Sequence, residues 1–158
     1  MPKTSNRRAA GDTRTAWAAY RRLPLLVDTE IARDLESRTG LSMPDYDVLT
    51  AVTEMAAEQE CVRVSGLAAR MHWPHSRLSR QLGRMERRGL VAREPCERDG
   101  RGDDVVLAEP GRQALAAAGP VHLASVHRHF LDLLTAEQLA ALTGIEETIA
   151  RHRAALSG

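Results

Sequence analysis

Apolar residues recur at helical spacing along most of the chain and give way to strand-like runs only in a short central stretch. From about Asp12, a stripe of Trp17, Tyr20, Leu23, Val27, Ile31 and Leu35 ends near Gly40. Pro24 lies inside it, removes a backbone donor and crowds the preceding turn, so a kink or break is expected there. Ser42-Met43-Pro44-Asp45 has the form of a capping box with proline in the first turn. It opens a helix whose core face is Tyr46, Leu49, Val52 and Met55. Cys61-Val62-Arg63-Val64 is a short β-prone run, and Ser65 is placed to cap a small helix burying Leu67 and Met71. A further helix runs from near Pro74 to Gly89, where glycine suits a left-handed C-terminal turn. Leu90–Arg93 and Val105–Leu107 read as two strands joined by the turn-forming run from Glu97 to Asp103. Helical periodicity resumes from Glu109 to about Leu134, with a kink expected at Pro120. Thr135-Ala136-Glu137-Gln138 is a second capping box and opens a last helix with Leu139, Leu142, Ile145 and Ile149 on one face.

That order (helix, helix, strand, helix, helix, strand, strand, helix, helix) predicts a mainly α chain with a small β-hairpin, in the α+β class. The centre, 42–108, has the layout of a winged helix-turn-helix. Residues 1–11 read as a disordered arm, and 12–158 as a single domain. The long helices of 12–40 and 109–156 bracket the central lobe in sequence and carry apolar stripes that something must cover. A second copy of the chain is the simplest cover, and two-fold dimers are the commonest arrangement. These segments are therefore expected to be dimerisation helices.

Charge changes the picture at one place. The chain of 158 residues has a net charge of +1, yet the stretch Trp73–Leu90 carries Arg77, Arg80, Arg84, Arg87 and Arg88 against the single acid Glu86. Leu78, Leu82 and Met85 fall at i, i+4 and i+7, so one face can bury itself while the other stays cationic. Phosphate attraction depends on such a local patch rather than on overall charge. A helix in this position presents its N-terminal residues to base edges and its flanks to phosphate. His75, Ser76, Arg77, Ser79 and Arg80 are thereby nominated for the groove. Gln81 and Arg84 are within reach of bases or phosphates, and Arg87 and Arg88 are candidates for phosphate. In the hairpin, Arg101 stands between Gly100 and Gly102 and is suited to a narrow minor groove, with Asp99 supporting the turn. Asp103 and Asp104 are expected to point away from DNA.

Other chemistries find little support. No apolar run approaches the length of a membrane span and the N-terminus lacks an apolar signal core, so a cytoplasmic protein is expected. Cys61 and Cys96 lack metal-ligand spacing and are expected to be two unpaired thiols in a reducing compartment. Arg93 and Arg98 near Cys96 would lower its thiol pKa, which keeps a thiol-based redox-sensing regulator open as an alternative. A winged-helix protein–protein adaptor is another. His122 and His129 lie two turns apart on one face, about 10.5 Å along the axis, while His127 faces elsewhere, so no metal site is expected. No Gly-rich phosphate loop, GxSxG, HExxH or supported carboxylate pair is present. An enzyme is not expected, nor a cofactor.

Several motifs in fixed order resemble the MarR (multiple antibiotic resistance regulator) family. Gly89-Leu90-Val91-x-Arg93, Asp99-x-Arg101, Val105-x-Leu107 and Gly111-Arg112 are similar to the family's pattern around its wing. The stretch Ser76-Arg77-Leu78-Ser79 with Arg84-Met85-Glu86 resembles an actinobacterial branch. The resemblance runs from about Trp17 to Leu156. It implies a homodimeric regulator, a repressor, that binds a pseudo-palindromic double-stranded DNA operator and responds to a small-molecule effector. The effector pocket it implies would involve Trp17, Tyr20, Tyr46 and the His122 region. Two positions depart from the pattern: Pro74 stands where a capping serine is expected, and Ala108 replaces a threonine at the end of the wing. Each loses a capping oxygen, at about 0.5–2 kcal/mol, and Pro74 in the first turn would offset part of this by fixing φ.

Overall fold

The second helix forms where its cap dictates. In the computed structural model, which describes residues 5–96 and 102–157, Ser42 is the N-cap. Its hydroxyl accepts from the Asp45 amide at 3.2 Å, and the Asp45 carboxylate accepts from the Ser42 amide at 3.0 Å. The helix that follows, α2 (Met43–Glu58), comes after α1 (Ser5–Thr39) and precedes α3 (Val64–Met71) and α4 (His75–Arg87). Strands β1 (Val91–Pro95) and β2 (Asp103–Leu107) form an antiparallel hairpin in the register Val91↔Leu107 to Pro95↔Asp103. Helix α5 (Glu109–His129), a 3-10 turn at Leu131–Leu133 and α6 (Ala136–Ser157) complete the chain. This is a winged helix-turn-helix, mainly α with one hairpin, as expected.

Several boundaries differ from the sequence expectation. Helix α1 begins at Ser5, so the backbone of residues 5–11 is helical where a disordered arm is expected. Neither Pro24 nor Pro120 breaks its helix, and α5 ends at His129 rather than near Leu134. The β-prone run at Cys61–Val64 contributes a single bridge, Arg63↔Asp104, together with a Val105 amide bond to the Val62 carbonyl at 2.9 Å. Helix α3 starts one residue before Ser65, with Arg63 at the cap position and no side-chain cap. The second capping box forms as read: the Thr135 amide donates to Gln138 Oε1 at 2.9 Å and the Gln138 amide to the Thr135 hydroxyl at 3.3 Å.

The described residues fall into two compact units, one running to Ile31 and resuming at Leu123, the other spanning Ala32–His122. The second unit holds the core. Leu35, Val48, Leu49, Leu67, Leu78, Leu82 and Met85 are fully buried there, each contributing about 1.5–3 kcal/mol. This lobe is wider than 42–108, because Leu35 from α1 and Ala118 from α5 belong to its core. The first unit has the opposite character. Trp17, Leu25, Leu26, Leu133, Ile145 and Ile149 are exposed, and α6 buries no residue. Tyr20, Leu23, Val27, Val126, Phe130 and Leu142 line an apolar hollow of about 350 Å³ in that unit.

Two glycines are fixed by geometry. Gly89 follows α4 at φ 71°, the left-handed turn that its sequence position predicts. Gly111 is fixed by space: a Cβ there would lie 1.9 Å from the Leu90 carbonyl oxygen. That oxygen already accepts the Ala108 amide at 3.1 Å, which joins the start of α5 to the end of α4. Gly111→Ala is expected to destabilise the fold by about 1–3 kcal/mol, the usual cost of forcing a backbone apart, outweighing alanine's better helix propensity. Thermal unfolding would show this as a fall of roughly 2–4 °C per kcal/mol. An unchanged midpoint would mean that α5 shifts at no cost.

Candidate nucleic-acid interface

Helix α4 is amphipathic in the sense the sequence predicts. Leu78, Gln81, Leu82 and Met85 face inward, while His75, Ser76, Arg77, Arg80, Arg84 and Arg87 are exposed and Ser79 is half-buried. At 3.6 residues per turn, Arg77, Arg80, Arg84 and Arg87 share one side of the helix. Pro74 occupies the N-cap rather than the first turn, with no side-chain bond at that end, so its ring does not replace the missing serine oxygen. Ala108, before α5, likewise offers none. There the Arg112 guanidinium bonds the Leu107 carbonyl at 2.5 Å and pairs with Glu109 at 3.0 Å.

The arginines differ in what holds them. The Arg77 guanidinium lies 3.9 Å above the Trp73 ring, a cation–π contact worth about 0.5–1 kcal/mol at an exposed site. Arg80 and Arg87 make no hydrogen bond or ion pair with the described residues. Arg84 donates to Gln81 Oε1. Arg88 turns inward, donating to Asp45 Oδ2 at 2.7 Å and to the Gly40 carbonyl at 3.2 Å. Gln81 is also engaged inward: it is 4% exposed, and its amide nitrogen donates to Asp45 Oδ1 at 2.7 Å. Gln81 and Arg88, both nominated for DNA from the sequence, are thus tied to α2. Asp45 is the residue that sequence reasoning undervalues. Its capping role is legible in Ser42-x-x-Asp45, but its hold on two residues at α4 is a tertiary contact that no local pattern announces.

At the hairpin, the nominated Arg101 and Asp99 lie outside the described residues. Asp104 is taken up by the fold, accepting the Val62 amide at 2.6 Å. Arg93 pairs with Glu86 at 3.2 Å, so the one acid on the basic helix is already matched. Cys61 and Cys96, expected to be unpaired thiols, are joined in a disulfide with a Cα–Cα distance of 6.0 Å. The reason is topological. The Arg63↔Asp104 bridge and the β1–β2 pairing bring the segment before α3 beside the end of β1, although the cysteines are 35 residues apart.

Of the residues nominated for a ligand pocket, Tyr46 and His122 meet, their rings stacked with centroids 4.5 Å apart. They border a cavity of about 300 Å³ with Thr50, Glu54, Arg70 and Trp73. Arg70 donates to Glu58 at 2.9 Å and holds that carboxyl below the usual carboxylate range. The Thr50 hydroxyl is buried without a hydrogen-bond partner among the described residues. Trp17 and Tyr20 stack on one another in the other unit, at 5.4 Å, and Tyr20 lines the apolar hollow there. His127 pairs with Asp132 at 2.9 Å.

Comparison with known proteins agrees with this geometry. The model of the MarR family matches residues 39–102, from the end of α1 past the first strand of the hairpin and up to the start of β2. The transcriptional regulator HosA of Escherichia coli is 32% identical over 120 residues, covering 76% of this chain and 85% of HosA. The chain belongs to the MarR family. Among solved MarR-family structures, AbsC of Streptomyces coelicolor superposes with a TM-score of 0.79 at 39% identity, covering 90% of this chain and 94% of AbsC. Sco3205, a MarR-family regulator from the same organism solved in complex with DNA, gives 0.78 at 28% identity, covering 90% and 88%. The chain is accordingly a DNA-binding transcriptional regulator of the winged-helix type, and the helix that its sequence marks as DNA-reading is α4. Among the described residues, no helix is long and apolar enough to cross a membrane.

Proposed function

We propose that this MarR-family regulator acts in the cytoplasm as a homodimeric, ligand-responsive repressor on a pseudo-palindromic operator. In this reading His75, Ser76, Arg77, Ser79 and Arg80 take the base edges, and Arg84 and Arg87 the phosphates. Arg101 is assigned the minor groove, and Asp99 the support of the wing. The observation that carries the reading is that Arg80 and Arg87, on the outer face of a helix whose inner face is fully buried, have no partner among the described residues. A helix held that firmly, with cations that those residues do not neutralise, is suited to a polyanion. Footprinting on the DNA flanking the protein's own gene tests it. Two protected half-sites about one helical turn apart are expected, with affinity falling steeply as salt rises. Protection absent at every salt concentration would leave the protein–protein adaptor reading in its place.

The Tyr46–His122 cavity is the proposed effector site. Trp73 borders it and also carries Arg77 on its ring, so an occupant that moves Trp73 moves a base reader. The Thr50 hydroxyl offers an unused polar handle. By linkage, an effector that lowers operator affinity binds the DNA-bound dimer less tightly by the same factor.

The disulfide favours a second input. Reduction yields two thiols, and peroxide restores the bridge by taking two electrons and two protons and leaving as two waters. Because the bridge ties the loop end of the hairpin to the segment before α3, its state is expected to change operator affinity about 5–150-fold, the usual range of coupling between sites. Affinity is expected to fall on peroxide treatment and to recover with dithiothreitol. Cys61→Ser should bind equally under both conditions. Identical wild-type affinities before and after reduction would remove redox control from the reading.

A further inference from the structure

We infer that Asp45 acts through Gln81 as a positioning residue for Arg84, setting the aim of one cation on the DNA-facing side of α4. The inference rests on the reading that this face meets DNA. Asp45 is 2% exposed and stands on α2, in a different helix from the side chains it orients. Its two oxygens have separate tasks. Oδ2 accepts from the Ser42 amide and from Arg88, which holds the carboxylate in place and offsets its charge. Oδ1 accepts from the Gln81 side chain at 2.7 Å.

That second bond decides the orientation of the Gln81 amide. A glutamine side chain has a donor side and an acceptor side, whereas an ionised carboxylate only accepts. Facing Asp45, Gln81 must therefore present its NH2 group. Its Oε1 is then obliged to point the other way, where Arg84, which can only donate, binds it. The reversed amide would set oxygen against oxygen at Asp45 and donor against donor at Arg84. Because Gln81 is buried, neither mismatch is relieved by water, and a buried polar group left unmet bears its full desolvation penalty. The Arg84 guanidinium is consequently anchored from beneath while Arg80 and Arg87 are not. Pre-positioning a long side chain in this way reduces the ordering cost that each such side chain incurs on binding.

Replacing Asp45 with asparagine removes the constraint, since asparagine can face either end of the Gln81 amide. A double-mutant cycle on operator affinity tests the relay, using Asp45→Asn, Arg84→Ala, the pair together, and Arg80→Ala as a control, with thermal midpoints measured on each. Asp45→Asn is expected to weaken operator binding about tenfold in the wild-type background, the effect of removing one interaction with DNA. Where Arg84 is alanine the same change is expected to cost less than about twofold, with the shallower salt dependence of Arg84→Ala left unaltered. Gln81→Met breaks the relay and leaves the Ser42 and Arg88 bonds to Asp45 in place. It should reproduce the same coupling, and it decides the matter if Asp45→Asn fails to fold. Equal losses in both backgrounds would reduce Asp45 to a structural residue and overturn the inference, and so would full operator affinity in Arg84→Ala. If Arg80→Ala also binds at full strength, the DNA-facing reading of α4 fails with it. If Arg80→Ala alone is impaired, that reading stands and only the relay falls.

Discussion

Arg80→Ala is expected to weaken operator binding by about 1–3 kcal/mol for each base interaction it removes, and in a two-fold dimer the removal occurs in both half-sites. The reasons lie in the position of Arg80 and in its lack of partners. It is on the second turn of α4, where side chains of a groove-bound helix still reach base edges. Nothing among the described residues competes for its guanidinium, so no bond to them must break before DNA is engaged. The planar fork can meet the O6 and N7 of guanine together, a match that lysine's single ammonium makes less well. The loss should concentrate at one position in each half-site. Arg87→Ala, by contrast, should weaken all sequences alike and flatten the salt dependence by roughly one unit for each phosphate it no longer neutralises. Arg88 shares the C-terminal end of α4 and is an equal candidate for that role from sequence, but its bonds to Asp45 and Gly40 assign it to the fold. Affinities of both variants on a panel of single-base operator substitutions are the test. Identical profiles would dissolve the division between base readers and phosphate anchors.

The sequence and the structure agree where the signal is local. Ser42-x-x-Asp45 and Thr135-x-x-Gln138 are readable as caps because each bond spans three residues, and both form. The stripe of Leu78, Leu82 and Met85 is readable because burial repeats with the helix, and all three are fully buried. Gly89 is readable because a helix end needs a left-handed residue. Agreement fails where a residue's partner is distant in sequence. Gln81 has a polar side chain on a helix rich in exposed charge, and only the approach of Asp45, 36 residues away, turns it inward. Cys61 and Cys96 carry no spacing signal, because it is strand pairing that brings them together. The end of the basic face is legible in charge but not in assignment: Arg87 and Arg88 are adjacent and chemically identical, and of the two it is Arg88 that pairs with the buried Asp45 carboxylate. Proline misleads in the opposite direction. The loss of one backbone donor at Pro24 or Pro120 does not outweigh the remaining bonds of a long helix.

The largest loss is expected from a change far from DNA. On the proposed homodimer, Ile145→Glu combined with Ile149→Glu should convert dimer to monomer and lower operator affinity by about 10²–10⁴-fold, the factor that joining two reading heads supplies. The motive is the stripe that α6 leaves open. Leu142, Ile145 and Ile149 follow helical spacing, Ile145 and Ile149 are 57% and 55% exposed, and no residue of the helix is buried. Trp17, Leu25 and Leu26 of α1 are exposed in the same unit. Apolar area on this scale is stabilised by removal from water at about 25 cal/mol per Å², and a second copy supplies the same surface in return. Placing carboxylates in that seam makes association bury unpaired charge, which disfavours it strongly. Within the single chain both side chains already face solvent, so helical content and the unfolding of each chain should change little. Sedimentation at micromolar concentration reads the assembly, and binding to a single half-site reads what each head retains. The monomer should keep a weak, Arg80-dependent base preference on one half-site while losing the gain from the second. Dimerisation unchanged in the double variant would place the interface elsewhere, and a wild-type protein that sediments only as a 17.4 kDa monomer would end the dimer reading altogether.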